Sequence, residues 1–394
     1  MPFTEKTVMD DRLCFISACL RAAEPMSRIC SHYGISRKTG YKWLSRYRAD
    51  GVAGLEERSR APKTVGSRID EEQSEKILAL KSSHRTWGPR KILAKLARDY
   101  PERQWPAVST VGDFLSRHDL TSPRQGRRAS PASSGPIIEA VSANDSWSAD
   151  FKGWFRTGDG VRCEPLTISD NYSRFLLVCH AVPRLTDEDI RPLFIDCFRQ
   201  YGLPTALRTD NGAPFAHHFG LGGLSRFSVW LLKLDVWPDR ITPGCPTQNG
   251  RHERMHRTLA EDTAQPPADT LALQQERLDQ WRRIYNTERP HQGIGDKYPA
   301  DLFSPSPRAY PEIIRPWDYP VDHLVLKVKR KGYIDFGGEA IYLSEAFNGE
   351  HVGIATMDDG RSVIRFRGFD LAYIDQGGKK VCCSGLARSG QTGT

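Results

Sequence analysis

Apolar positions along the chain change their period between regions. From Met26 to Tyr47 they fall at helical spacing: Ile29, Cys30 and Tyr33, then Trp43, Leu44 and Tyr47, with Gly34 between the two sets and Ser36 placed to cap the second. This pattern predicts a helix, a tight turn and a second helix, the arrangement that lays its second helix in the DNA major groove. Arg37, Lys38, Tyr41 and Lys42 fall toward the start and open face of that helix, where base edges and phosphates would lie. Gly40 lies inside it and costs about 1 kcal/mol relative to alanine. A second helical region begins near Asp70. Ile77, Leu78 and Leu80 lead to Trp87-Gly88-Pro89-Arg90, and then Ile92, Leu93 and Leu96 repeat before a third segment with Val111, Phe114 and Leu115. Residues 1–62 read as a helix-turn-helix DNA-binding domain. Residues 63–121 read as a second helical DNA-binding domain, with Arg90 and Lys91 as its candidate contacts.

Residues 122–140 read as a flexible basic linker, rich in Ser, Pro, Gly and Arg. Beyond it the period shortens. Trp147 to Phe155, Pro165 to Ser169 and Phe175 to Val182 are β-prone runs, a helix follows from Asp187 to Tyr201, and a strand runs from Ala206 to Thr209. Strands and a helix in that order predict an α/β layered domain over 141–300. A connector at 301–316 leads to short strands separated by Gly-rich turns over 317–383, read as a small antiparallel β-barrel, and the tail 384–394 is expected to be disordered.

Charge sharpens this picture. The net charge of +8 is unevenly placed: residues 1–130 hold 25 Lys and Arg against 15 Asp and Glu, and the remainder is slightly acidic. A basic N-terminal third favours polyanionic partners, nucleic acid first. No apolar run is long enough for a membrane helix, and no Cys-x-x-Cys pair occurs among nine scattered cysteines, so the expectation is a cytoplasmic protein with reduced thiols and no membrane partner.

Three acids carry the candidate chemistry. Asp150 lies inside the first strand between aromatic residues, Asp210 follows the fourth strand in LRTDNGAPF, and Glu253 sits in the first turns of a helix expected to start near Gln248. Carboxylates on three elements that converge would form a hard oxygen site suited to Mg²⁺ or Mn²⁺. Two such ions can activate a water or a 3′-hydroxyl and stabilise the leaving oxygen of a phosphodiester. Asp170, in SDNYSRF, competes for the first position but falls in a hairpin turn. His252, Glu253 and His256 also spell His-Glu-x-x-His, the zinc-protease pattern, which would leave Asp150, Asp210 and the basic region without a role.

The order of an Asp in a first strand, T-D-N-G after a fourth, and P-x-Q-N-G-x-x-E on a helix resembles the retroviral-integrase superfamily, specifically bacterial insertion-sequence transposases with an integrase-type core. The likeness extends over most of the chain, including ERPHQGIGDKYPADLF behind the core. It implies a multidomain protein: N-terminal all-α helix-turn-helix domains, a central α/β ribonuclease-H-like domain and the C-terminal small β-barrel. It also implies a DDE transposase that binds terminal inverted repeats, cleaves DNA ends with two Mg²⁺ or Mn²⁺ ions and joins 3′-hydroxyls to target DNA. Asp150, Asp210 and Glu253 would be the catalytic, metal-binding triad. Lys152, Asn211, Gln248, Asn249 and Arg254 would contact DNA or shape the site, with the histidines and Arg254 on a solvated or DNA-facing side of their helix. The partners implied are double-stranded DNA and further copies of the chain, in a homodimer or larger assembly on the nucleoid. The alternative is a DNA-binding regulator descended from such an enzyme, whose core no longer cuts.

Overall fold

The computed structural model describes residues 7–57, 69–121, 139–216, 223–241, 250–375 and 380–388. The chain divides into two compact units, Met1–Arg68 and Ile69–Thr394.

Among its described residues the first unit packs α1 (Val8–Arg21), α2 (Met26–His32), α3 (Arg37–Asp50) and a 3-10 turn at Gly51–Leu55 around a core of Phe15, Ile16, Ile29, Cys30, Trp43, Leu44 and Leu55. Gly34 makes the turn with φ of +63°, and the Ser36 side chain caps α3 by accepting from the Thr39 N–H. Gly40, a weak helix former, is explained by packing. A Cβ there would lie 2.5 Å from Cys30 Sγ and 3.1 Å from Phe15 Cζ, so only glycine lets α3 approach its neighbours.

The second unit opens with α4 (Glu71–Ser83), α5 (Pro89–Asp99) and α6 (Val108–Arg117). Asp70 and Gln73 form a reciprocal cap at the start of α4, and Ile77, Trp87, Ile92, Leu96, Val111 and Leu115 are buried between the three helices. A mixed sheet follows, built from β1 (Ser146–Phe151), β2 (Phe155–Arg156), β3 (Arg162–Asp170), β4 (Leu176–Val182), β5 (Ala206–Thr209) and β6 (Trp237–Arg240). β1, β3 and β4 are antiparallel neighbours, β5 and β6 extend the sheet in parallel beyond β1, and β2 pairs with the start of β3. The single long strand expected from Trp147 to Phe155 is interrupted at Gly153, where φ is +89°.

Alternation along the strands gives the two sheet faces different chemistry. Trp147, Ala149, Leu166 and Ile168 point to one face and pack under α7 (Asp187–Tyr201) and α8 (Arg226–Lys233), against Phe194, Phe198, Phe227 and Trp230. Their neighbours Ser146, Ser148, Asp150, Thr167 and Ser169 alternate with them and so belong to the opposite face. That side carries α9 (Gly250–Thr263) and α10 (Leu271–Thr287), whose Met255, Leu259, Leu278 and Trp281 pack on Leu176, Cys179 and Ala181.

The connector after α10 returns to the core. Leu203 N donates to Arg308 O, Ser306 N donates to Tyr201 O, and Phe303, Tyr310 and Ile314 join the first apolar cluster. The C-terminal region corrects the barrel expected there. β7 (Leu324–Lys327), β10 (His351–Thr356), β11 (Ser362–Phe366), β12 (Phe369–Ile374) and β13 (Lys380–Arg388) form an open five-stranded antiparallel sheet with β7 and β13 at its edges, while β8 (Tyr333–Phe336) and β9 (Glu339–Tyr342) pair as a separate hairpin. Among the described residues no sheet closes. The reason is that apolar cover comes from elsewhere: Leu224, Val229 and Leu232, on and beside α8, pack into the same cluster as Ile334, Val352, Ile364 and Phe366. β13 runs to Arg388, past Ser384 where the tail was expected to begin, and 389–394 lie outside the described residues. Most of the 122–140 linker, 122–138, lies outside the described residues.

Asp170 is fully buried at the β3–β4 turn. It accepts from Asn144 N at 2.8 Å, Ser173 N at 2.7 Å and Ser173 Oγ at 2.6 Å. Burial raises its pKa, and these bonds oppose the rise. Its place in the structure is to tie the turn to the start of β1. Asp170→Ala leaves two buried N–H groups without their acceptor and is expected to lower unfolding stability by about 3 kcal/mol in urea titration.

Candidate functional site

The parallel pairing of β1 and β5 sets Ser146 beside Ala206, Trp147 beside Leu207 and Ser148 beside Arg208. Continued two residues further, the same register brings Asp150 level with Asp210. Both acids stand at the carboxyl ends of their strands, the edge where α/β sheets take their ligands, and both are half-buried.

Local bonds orient each of them. Asp150 Oδ1 accepts from Phe151 N at 2.8 Å, and Asp210 Oδ1 accepts from Gly212 N at 3.1 Å. Gly212 allows this turn to stay tight, since a Cβ there would come within 3.0 Å of Asp210 Oδ2. Asn211 donates from Nδ2 to Ile241 O at 2.8 Å, which joins the exits of β5 and β6. Below the acids, Arg208 and Asp239 form an ion pair between β5 and β6 at 2.7 Å.

Glu253 is exposed on the first turns of α9. Among the described residues no three His, Cys, Asp or Glu side chains gather closely enough to hold one metal ion. The structure therefore aligns the two aspartates and leaves the glutamate on a separate element. Gln248 and Asn249 lie outside the described residues, as do 220–222 of the glycine-rich segment between Asp210 and Glu253. Lys152 is half-buried, with its N–H on Pro165 O at 3.0 Å, and Arg254 is exposed.

The histidines beside Glu253 correct the expectation of a solvated face. His252 and His256 are 3% and 8% exposed, because they are the part of α9 that covers the polar stripe of the sheet. Both Nε2 atoms reach the hydroxyl of Thr167, at 2.6 and 2.7 Å. Thr167 pairs with Asp150 across β1 and β3, and its Oγ1 donates to Asp150 O at 3.1 Å. His252 Nδ1 lies 3.4 Å from Ser169 Oγ, and His256 Nδ1 lies 4.0 Å from Asp150 Oδ2. Burial drives the His252 pKa down to about 4 and that of His256 to about 2, with the charges of His252 and Lys152 adding to the second shift. His256 is thus neutral at neutral pH, and its nearness to Asp150 is not an ion pair. The sequence reading missed this contact; the signal available for it was Thr167 and Ser169, two polar positions alternating with apolar ones in a buried strand.

The candidate DNA contacts divide. Arg37, Lys38, Tyr41 and Lys42 are exposed on α3, with the Lys42 ammonium 4.6 Å from the Trp43 ring. On α5, by contrast, Arg90 makes a bidentate pair with Asp296, Nη2 to Oδ2 at 2.8 Å and Nε to Oδ1 at 3.2 Å, and desolvation lowers the Lys91 pKa to about 8. Arg98 makes a second bidentate pair with Asp301 at 2.5 and 2.9 Å. These pairs hold the α4–α6 helices to the segment that follows α10.

Comparison with known proteins gives the class. Residues 11–63 match a helix-turn-helix domain, residues 39–115 a homeodomain-like domain, and residues 234–299 the integrase core domain. The last match contains Glu253, and Asp150 and Asp210 precede it. The chain is 28% identical over 282 residues to the IS476 insertion-element protein of Xanthomonas euvesicatoria, covering 68% of this chain and 75% of that protein. To the IS407 insertion-element protein of Burkholderia multivorans it is 26% identical over 184 residues, 43% of this chain and 61% of that protein, so it spans less than two thirds of that relative. A chain of the simian T-cell lymphotropic virus intasome, solved with the PP2A regulatory subunit B56 gamma, superposes with a TM-score of 0.36 at 15% identity, covering 79% of this chain and 98% of that one. The sequence matches mark similarity to helix-turn-helix and homeodomain-like DNA-binding domains within residues 11–115 and to the integrase core within residues 234–299. With the homology to insertion-element proteins, they support an insertion-sequence transposase with an integrase-type core. No helix among the described residues is long and apolar enough to cross a membrane.

Neutral buried histidines make stability depend on pH in a defined direction. Below about pH 6.5 the unfolded chain protonates these imidazoles and the folded chain does not, so stability is full above that pH and falls as pH drops toward the folded values. Each such histidine contributes about 1.4 kcal/mol per pH unit between roughly pH 6.5 and 4. Urea titrations across that window are expected to give a shallower pH dependence for His256→Gln than for the unsubstituted protein.

Proposed function

We propose that this protein is a DNA transposase whose Asp150, Asp210 and Glu253 form the catalytic acidic triad. The observation that carries the reading is the register of β1 and β5, which aligns two half-exposed carboxylates at neighbouring strand ends. The integrase-core match around Glu253 and the helix-turn-helix matches upstream support it.

The donor set fits a hard divalent cation: carboxylate oxygens on two adjacent strands and a third on a helix. Two Mg²⁺ or Mn²⁺ ions held by these residues would supply charge stabilisation at the attacking and leaving oxygens of a phosphodiester. The protein's own residues orient the acids. Gly212 N–H fixes Asp210, Asn211 fixes the turn that carries it, and Phe151 N–H fixes Asp150.

In the cleavage step, a water oxygen bonds to phosphorus, the bond from phosphorus to the 3′-oxygen breaks and a 3′-hydroxyl is released. In the joining step that hydroxyl attacks a target phosphate and displaces another 3′-oxygen. Recognition of the terminal inverted repeats falls to the N-terminal unit, where Arg37, Lys38, Tyr41 and Lys42 are exposed on the second helix of the turn. Lys152, Asn211, Arg254, Gln248 and Asn249 are assigned to DNA near the acids. Arg90 and Lys91 are assigned to DNA only when α5 is released from Asp296. Both element ends must be held together, so the working form is a homodimer or larger assembly on DNA, at the nucleoid in the cytoplasm.

The test is Mg²⁺- or Mn²⁺-dependent cleavage of duplexes taken from the sequence flanking the coding region. Asp210→Ala and Glu253→Gln are expected to bind these duplexes as the unsubstituted protein does and to lose nicking by at least about 100-fold. Unchanged nicking in either variant removes that residue from the triad. Specific binding without nicking by the unsubstituted protein favours a regulator derived from such an enzyme.

A further inference from the structure

The His-Glu-x-x-His sequence has no part in the proposed chemistry beyond its glutamate, yet both its histidines are buried against Thr167, and His256 lies beside Asp150. Their bonds are tightly constrained. A hydroxyl has one proton and two acceptor positions. One arrangement makes all three contacts hydrogen bonds at once: the Asp150 carbonyl can only accept, so in it the Thr167 proton goes to that carbonyl at 3.1 Å. Thr167 Oγ1 must then accept at both remaining positions, from His252 Nε2–H at 2.6 Å and His256 Nε2–H at 2.7 Å. Both imidazoles are thereby set in the Nε2–H tautomer, with Nδ1 of His252 turned toward Ser169 Oγ and Nδ1 of His256 toward Asp150.

Helical geometry gives the arrangement a consequence. His252 and His256 are one turn apart and face the sheet together, while Glu253 is rotated by about 100° from His252 and emerges beside that face. The first turns of α9 are thus joined to β3 at the residue that pairs with Asp150.

We propose that Thr167, His252 and His256 are positioning residues: a three-centre joint that fixes α9 on β3 and so sets Glu253 relative to Asp150. The histidines of the His-Glu-x-x-His motif act through the threonine hydroxyl and ligate no metal. This inference rests on the triad reading above.

The test compares Thr167→Val, Thr167→Ser, His252→Gln, His256→Gln and Asp150→Asn on flanking-sequence duplexes with Mg²⁺, reading single-turnover nicking and duplex Kd separately. A misplacement of about 1 Å in such a site costs about 100-fold in rate. Thr167→Val is therefore expected to lose about 100-fold in nicking with Kd within about twofold. Thr167→Ser, which keeps the hydroxyl, is expected to stay within a few-fold of the unsubstituted rate. Glutamine retains an N–H donor at similar reach and is expected to fall between the two. Long-range ¹⁵N–¹H spectra of histidine-labelled protein near neutral pH provide a readout without catalysis, with both residues expected as the Nε2–H tautomer.

Nicking by Thr167→Val at the unsubstituted rate, with Asp150→Asn inactive, overturns the joint and leaves the triad standing. Full nicking by Asp150→Asn overturns the triad instead. If Thr167→Val fails to fold, equal loss in Thr167→Ser or an Nδ1–H tautomer at either histidine overturns the proposal. Rescue by serine with both Nε2–H tautomers upholds it.

Discussion

One hydroxyl group at the centre of the core, Thr167 Oγ1, has three polar partners and no exposure to solvent. A buried polar stripe on a sheet is unfavourable unless the covering layer brings matching donors and acceptors. α9 does so with two histidines. That requirement selects the face of α9 that must turn inward, and the inward face determines where Glu253 emerges. The opposite side of the sheet has no such requirement: Trp147, Ala149, Leu166 and Ile168 meet the aromatic residues of α7 and α8 through apolar contact alone. The layered core thus has one side that supplies apolar burial and another that specifies an orientation.

The peripheral pieces of the second unit use the outer surfaces of these layers. The C-terminal sheet shares an apolar cluster with α8, and Arg367 and Lys233 add bonds across it, to Lys233 O and to Glu350. The α4–α6 helices are held to the segment after α10 by two bidentate arginine–aspartate pairs, a geometry that carries more specificity than an ordinary surface ion pair. In the proposed function this has a cost for recognition. Arg90 is engaged by the protein itself, while Arg37, Lys38 and Tyr41 are exposed, so α3 is the readier surface for DNA.

Much of this architecture was legible wherever the information was local. The cap at Ser36, the turn at Gly34, the helical start near Asp70 and the β-prone runs of β3 and β4 placed most helices and strands of the first 210 residues close to where they lie. α8 was not read because Phe227 to Leu232 is a short run of consecutive buried residues, which periodicity alone does not assign to helix or strand. β6 contains Pro238, and its Asp239 finds a reason only in Arg208 on the neighbouring strand. The barrel failed for a related reason: strand-like runs show that strands form over 317–383, whereas closure depends on pairing between the first and last, which no local pattern encodes. Asp150 and Asp210 were legible from composition and turn chemistry. The inward histidines were not, since a His pair at i and i+4 looks the same whether its face meets water, metal or a threonine.

The central claim is that the three acids serve one cation site when the protein is assembled on its DNA. Mn²⁺ binding followed by electron paramagnetic resonance, on complexes with flanking-sequence duplexes, tests it most directly. The account predicts bound Mn²⁺ in the unsubstituted complex and its marked loss in Asp150→Asn, Asp210→Asn and Glu253→Gln taken one at a time. Undiminished Mn²⁺ binding by the Glu253→Gln complex would contradict it.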